Sequence, residues 1–159
     1  MKILIVYDSF FGNTEQIALA IGKGFEGMGE VQVKRPGNVE EKDYKGIDFL
    51  FVGSPTRKFT ATKAIKMFIK NIPSKSLQGV KTAAFDTRID VKKINNRLLN
   101  TFVSFFGYAA EPLSERLKKK GGKIVLPPEG FYVLDSEGPL QEGEYERAIE
   151  WAKGAFQES

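Results

Sequence analysis

The chain has 159 residues, 42% of them hydrophobic, with no cysteine and no histidine. Those absences remove thiol nucleophiles, disulfides, Ser-His-Asp triads and the usual zinc sites together, leaving only carboxylates to hold a metal. The net charge of +4 is unevenly spread: from Glu129 onward eight acids face two bases, so residues 1 to 128 carry +10. The length suits a single domain over residues 1–159 with an ample core. No segment approaches the eighteen or so apolar residues of a membrane span, and the first apolar run is too short for a signal peptide, so a cytoplasmic location is expected. Nucleic acid is not expected as a partner, because no reader motif or basic-aromatic stripe accompanies the positive charge.

In chain order, residues 2 to 7 are nearly all apolar, as in a central parallel strand buried on both faces. A helix is expected from Asn13 to about Met28, with Ile17, Ala18, Ala20, Ile21 and Phe25 on one face. Residues 31 to 34 read as a second strand ended by Arg35-Pro36-Gly37, and 39 to 44 as at most one helical turn. The third strand, Phe49 to Val52, closes at Gly53-Ser54-Pro55-Thr56, and a helix over about 62 to 72 leads to a fourth strand at 81 to 85. Asp86-Thr87-Arg88 reads as the loop beyond it. The apolar segment from Asn95 to Phe106 reads as a helix packed on the core, a dimer surface, or a lid beside a ligand.

A helix from about Ala109 to Lys120 stops at Gly121-Gly122, a common terminator. Ile124 to Leu126 and Phe131 to Leu134 read as two pieces of a fifth strand, parted by Pro127-Pro128, and Glu144 to Phe156 as the closing helix. Strands alternating with helices predict an α/β three-layer sandwich with helices on both faces.

In open α/β sheets ligands bind beyond the carboxyl ends of the strands. The loop Ser9-Phe10-Phe11-Gly12-Asn13-Thr14 lies there, between a strand and a helix, where unpaired N–H groups and the helix dipole favour an anion. Ser9, Asn13 and Thr14 add side-chain donors, which points to a phosphorylated ligand. The loops after strands three and four bring Ser54, Pro55, Thr56, Arg57, Lys58 and Phe59, then Asp86, Thr87 and Arg88, to the same end.

These loops resemble those of the flavodoxin family. Ser9 to Thr14 is similar to the family's FMN-phosphate loop, and Gly53-Ser54-Pro55-Thr56 to the loop bordering the flavin ring; the likeness runs through the order of elements along the chain. It implies a five-stranded parallel sheet of order 2-1-3-4-5, FMN at the switch point, and electron shuttling between redox partners. It implies cofactor contacts from Ser9, Phe10, Phe11, Gly12, Asn13, Thr14, Ser54, Pro55, Thr56, Arg57, Lys58, Phe59, Asp86, Thr87 and Arg88, and no catalytic side chain.

Departures from the family pattern accompany the likeness. Phe11 replaces a hydroxyl, Arg57-Lys58 replace a glycine that would take positive φ without strain, and Thr87-Arg88 stand where an aromatic residue often stacks. Flavodoxins are commonly acidic, whereas the sequence pI here is about 9.2. Arg57, Lys58 and Arg88 therefore suggest an acidic redox partner or an anionic substrate. The alternatives to a carrier are an FMN-dependent NAD(P)H or quinone oxidoreductase, which would turn over without a second protein, and a non-redox phosphate-ligand or protein-binding module, which would not be yellow.

Overall fold

The apolar N-terminal run forms β1 (Lys2–Tyr7), buried from Ile3 onward because strands flank it and helices cover both faces. In the computed structural model, which describes residues 1–91, 93, 96–98, 101 and 107–157, β1 lies inside one parallel sheet. Its neighbours are β2 (Glu30–Lys34) and β3 (Phe49–Pro55), and β3 is followed by β4 (Lys81–Ile89). Beyond β4 come β5 (Lys123–Ile124) and β6 (Glu129–Val133), which pair with its two halves in turn, Lys81 opposite Lys123 and Phe85 opposite Glu129. The order is thus 2-1-3-4-5, with the fifth position split at Pro127-Pro128, whose rings supply no N–H to a ladder.

Among the described residues two long helices cover each face. On one side α1 (Asn13–Gly24) and α5 (Glu144–Gly154) pack over Phe25, Phe51, Phe85 and Phe131, with Trp151 edge-on to the last three of the rings at 5.7 to 6.3 Å. On the other, α3 (Lys63–Asn71) and α4 (Ala110–Lys119) bury Ile65, Phe68, Ile69, Leu113 and Leu117 against Leu4, Val6, Leu50 and Val52. The polar stretch after β2 holds a 3-10 turn at Pro36–Asn38 and one short α-helix, α2 (Glu41–Tyr44), whose start is closed by a reciprocal capping box between Glu40 and Asp43.

Two expectations need correction. The first helix ends at Gly24, not Met28, where the chain turns and Phe25 donates back to the Gly22 carbonyl. Asp86-Thr87-Arg88 is not a loop: β4 runs on to Ile89, because Asp86 and Thr87 pair with Ser54 and Pro55 on one side and Gly130 and Phe131 on the other. Polar residues become central strand when neighbours satisfy the backbone on both edges. The expected helix over 95 to 106 falls mostly outside the described residues; Leu98, which is described, is exposed.

Candidate cofactor site

At the carboxyl end of the sheet Ser9, Phe10, Phe11, Asn13, Thr14, Pro55, Thr56, Arg57, Lys58, Thr87 and Arg88 line a cleft of about 210 Å³ together with Ile89, Val133 and Ser136. Backbone bonds join the three loops: the Asp8 amide donates to Gly53 and the Thr56 amide to Thr87. The head of the cleft is the start of α1. Its first intrahelical donor is Gln16, bonded to the Gly12 carbonyl, and the N-cap Gly12 offers no side-chain acceptor. The amides of Asn13, Thr14 and Glu15 therefore have no acceptor among the described residues, although Asn13 and Thr14 are buried. The Gly12 amide itself is used, donating to Ser9 Oγ at 3.0 Å, which leaves the Ser9 O–H free to donate. Uncharged donors converging on one point with the positive end of a helix suit a phosphate, so the residues present fit the group.

The floor ties α1 to β4. Thr14 Oγ1 lies 2.7 Å from Thr87 Oγ1, and both residues are buried. The residue before Thr87, Asp86, is fully buried and accepts from Arg88 Nε and a terminal nitrogen at 2.6 and 2.7 Å, and from the Ala110 amide at 2.8 Å. The Arg88 guanidinium also lies 3.7 Å from the centre of the Tyr108 ring. Burial pushes the Asp86 carboxyl up from the usual carboxylate range, against the pull of Arg88 and the Ala110 amide. Arg88 finds room because residue 130 is glycine: a Cβ there would lie 2.1 Å from Nε. Thr56 Oγ1 accepts from Ala109, so two residues of the sheet end hold the start of α4.

The sides are aromatic and cationic. Phe10 and Phe11 are 59% and 47% exposed, and the Arg57 guanidinium sits 5.3 and 5.6 Å from their ring centres. Arg57 and Thr60 exchange backbone bonds of 2.9 and 3.0 Å around Lys58-Phe59, whose φ angles are 48° and 64°. Such a two-residue turn favours Asn-Gly, so the positive φ expected to be avoided here is taken on by Lys58 and Phe59. Lys58→Gly is therefore expected to stabilise the protein by about 0.5 to 1 kcal/mol, the relief of a left-handed side chain less glycine's extra entropy in the unfolded chain. Thermal unfolding checks it, and a lowered midpoint would contradict the strain.

Four residues expected to touch the cofactor do not line the cleft. Ser54 is fully buried, its hydroxyl donating to the Pro55 carbonyl and accepting from the Thr62 amide at the start of α3. Asp86 is consumed by Arg88 and Ala110, while Gly12 and Phe59 shape their turns from outside the lining. Arg88 lines the cleft, yet its side chain is only 11% exposed and paired, so it is not a steering charge.

Other contributors lay outside the sequence reading. Arg35 bonds to the Ser9 carbonyl at 3.0 Å and pairs with Asp8 and Glu15 at 3.4 and 3.1 Å, offsetting the charge of the two carboxylates that flank the Ser9 to Thr14 loop in sequence. The loop after β6 supplies Ser136, and the Glu137 carbonyl accepts from Asn13 Nδ2 at 3.0 Å. The only signal for that loop was its turn composition, Ser136-Glu137-Gly138-Pro139.

The flavodoxin-domain family model matches residues 4–111. In structure the chain is similar to a flavodoxin from the domain Archaea (22% identity, TM-score 0.79, 99% of this chain and 97% of that one). It is also similar to flavodoxin 1 of Bacillus cereus (18%, 0.75, 99% and 98%). A rubredoxin:oxygen oxidoreductase of Desulfovibrio gigas matches over 99% of this chain but 36% of its own length (18%, 0.72). A search of curated protein sequences gave no match. The parallel α/β sheet and its carboxyl-end cleft define a flavodoxin-like nucleotide-binding fold. The chain belongs to the flavodoxin family, whose cofactor is FMN and whose members pass electrons between redox partners. Among the described residues no helix is long and apolar enough to cross a membrane.

Proposed function

We propose that this chain is a cytoplasmic electron carrier that holds FMN by its phosphate at the start of α1 and presents it to an acidic redox partner. The observation that carries the reading is the set of unpaired amides of Asn13, Thr14 and Glu15 at the head of the cleft. When bound, the isoalloxazine supplies the redox chemistry. The chain's own residues bind and orient: Ser9 and Thr14 add hydroxyl donors, Asn13 braces the loop against Glu137, and Phe10, Phe11 and Pro55 give apolar cover. Arg57 and Lys58 are exposed at the cleft mouth and set the charge met by a partner.

The test is the purified protein's colour and released cofactor, followed by turnover. A yellow protein that yields FMN on denaturation, and that oxidises NAD(P)H with an added quinone only when a second protein is supplied, supports the carrier. Steady turnover by the chain alone overturns it in favour of an oxidoreductase, and a colourless protein with no affinity for FMN in favour of a non-redox module.

Arg35 makes a sharper prediction. In Arg35→Gln, Asp8 and Glu15 lose their cation beside the anion position, so FMN should bind about three- to tenfold more weakly at low salt, on the scale of about 1 kcal/mol for a partly exposed ion pair. Riboflavin affinity should not change. Titration of the apoprotein with both flavins measures this, and an equal loss for both would assign Arg35 a purely structural role.

A further inference from the structure

The exposed face of α3 carries charge that the cleft does not use. Lys63, Lys66 and Lys70 recur at helical spacing on the side opposite the buried Ile65, Phe68 and Ile69. None of the three lysines has an acidic partner among the described residues. The row is joined to the cleft mouth: Lys66 Nζ reaches Thr60 Oγ1 at 3.4 Å, and Thr60 closes the Arg57 turn. At its far end Lys120 Nζ reaches the carbonyls of Lys70 and Ile72 at 2.9 and 2.5 Å, so the α3 C-terminus is capped by a further cation. In the middle stands Met67, 42% exposed.

Acids are instead exposed on the last helix and on the loop that leads to it from β6. Glu146 and Glu150 on α5, with Asp135, Glu137 and Glu142 before it, are all exposed. The lysines of α3 and the acids of α5 therefore lie on opposite sides of the sheet, which orients an incoming charged body rather than merely attracting it.

We propose that the row of lysines on α3 is the docking surface for the redox partner, and that the partner presents an acidic protein surface. The inference rests on the carrier reading and adds to it the place and charge of the footprint, which extends from Arg57 along a full helix. Charge complementarity specifies the sign. Met67 specifies a protein: a polarizable side chain ringed by cations is a usual interface centre, whereas a membrane-surface helix needs several large apolar residues beside its lysines. Contact here sets the partner beside the loop that borders the cleft, so an electron leaves through the cleft mouth.

Native cytochrome c, with a basic surface, and its fully succinylated form, with an acidic one, are suitable probes. The FMN-loaded protein is reduced with dithionite, excess reductant is removed, and each haem iron takes one electron from the cofactor, Fe(III) becoming Fe(II). The succinylated form is expected to react about tenfold faster than the native form at low ionic strength, with the gap closing as salt is added. Lys63→Glu/Lys66→Glu/Lys70→Glu should reverse the preference and the corresponding glutamine variant should abolish it, each with parental FMN content and melting temperature.

Equal rates with the two cytochromes, a preference for the native form, or an unaltered preference in the glutamate variant would overturn the docking surface while leaving the carrier reading in place. Failure to reduce either cytochrome would overturn both. Binding measured in the same buffer to phosphatidylserine vesicles or to duplex DNA, if tighter than to succinylated cytochrome c and lost in the glutamate variant, would replace the acidic protein by that polyanion and overturn the assignment of partner.

Discussion

Riboflavin is expected to bind the apoprotein about a thousandfold more weakly than FMN. The two differ only in the phosphate, and the start of α1 offers it three backbone amides and the hydroxyls of Ser9 and Thr14. A hydrogen bond to a charged group contributes on the order of 1.5 to 3 kcal/mol net, so about 4 kcal/mol, or three orders of magnitude in Kd, is a conservative total after the phosphate has shed its water. Thr14→Ala should remove about a tenfold share of this, because it deletes one donor and leaves the buried Thr87 hydroxyl without its 2.7 Å partner. Fluorescence titration with both flavins measures the ratio. Affinities within a factor of about ten of one another would mean that the phosphate does not sit at α1.

Arg88→Ala should destabilise the protein by about 3 to 5 kcal/mol, the usual consequence of stripping a buried carboxylate of its cation. Asp86 would be left fully buried with only the Ala110 amide, and Tyr108 would lose the guanidinium stacked on its ring. The sign of the pH dependence follows from burial. With Arg88 gone, the folded-state pKa of Asp86 rises further above its unfolded value, so the folded form binds the extra proton. Stability gained that way is present below the unfolded pKa and lost as pH rises through the folded one. The deficit relative to the parent should therefore be largest at neutral pH and shrink toward pH 4, a trend that urea unfolding at several pH values will show. Asp86→Asn/Arg88→Met, which removes both charges, should recover part of the loss. A deficit independent of pH would place the cost in lost packing, not in an orphaned carboxylate.

What local chemistry specifies was legible from residue order. The unbroken apolar run of β1, the helix beginning at Asn13, the break of the fifth strand at Pro127-Pro128 and the ring of loops at one end of the sheet all rest on short-range patterns, and the structure places them as expected. What depended on neighbours distant in sequence was not. Asp86, Thr87 and Arg88 are too polar to read as strand, and become one because Ser54-Pro55 and Gly130-Phe131 flank them. Arg88 looked like a free loop cation until β4 placed it two residues beyond Asp86, on the same side of the strand, over a residue without a side chain. Arg35 looked like turn punctuation until β2 lay beside β1 and brought it to Asp8 and Glu15. The sequence by itself determined most of the elements, their alternation and the loop that opens α1, because each depends on a few adjacent residues. Only the tertiary structure decided which charges are spent on one another and which remain at the surface, because ion pairing depends on distances set by the packing of the whole sheet.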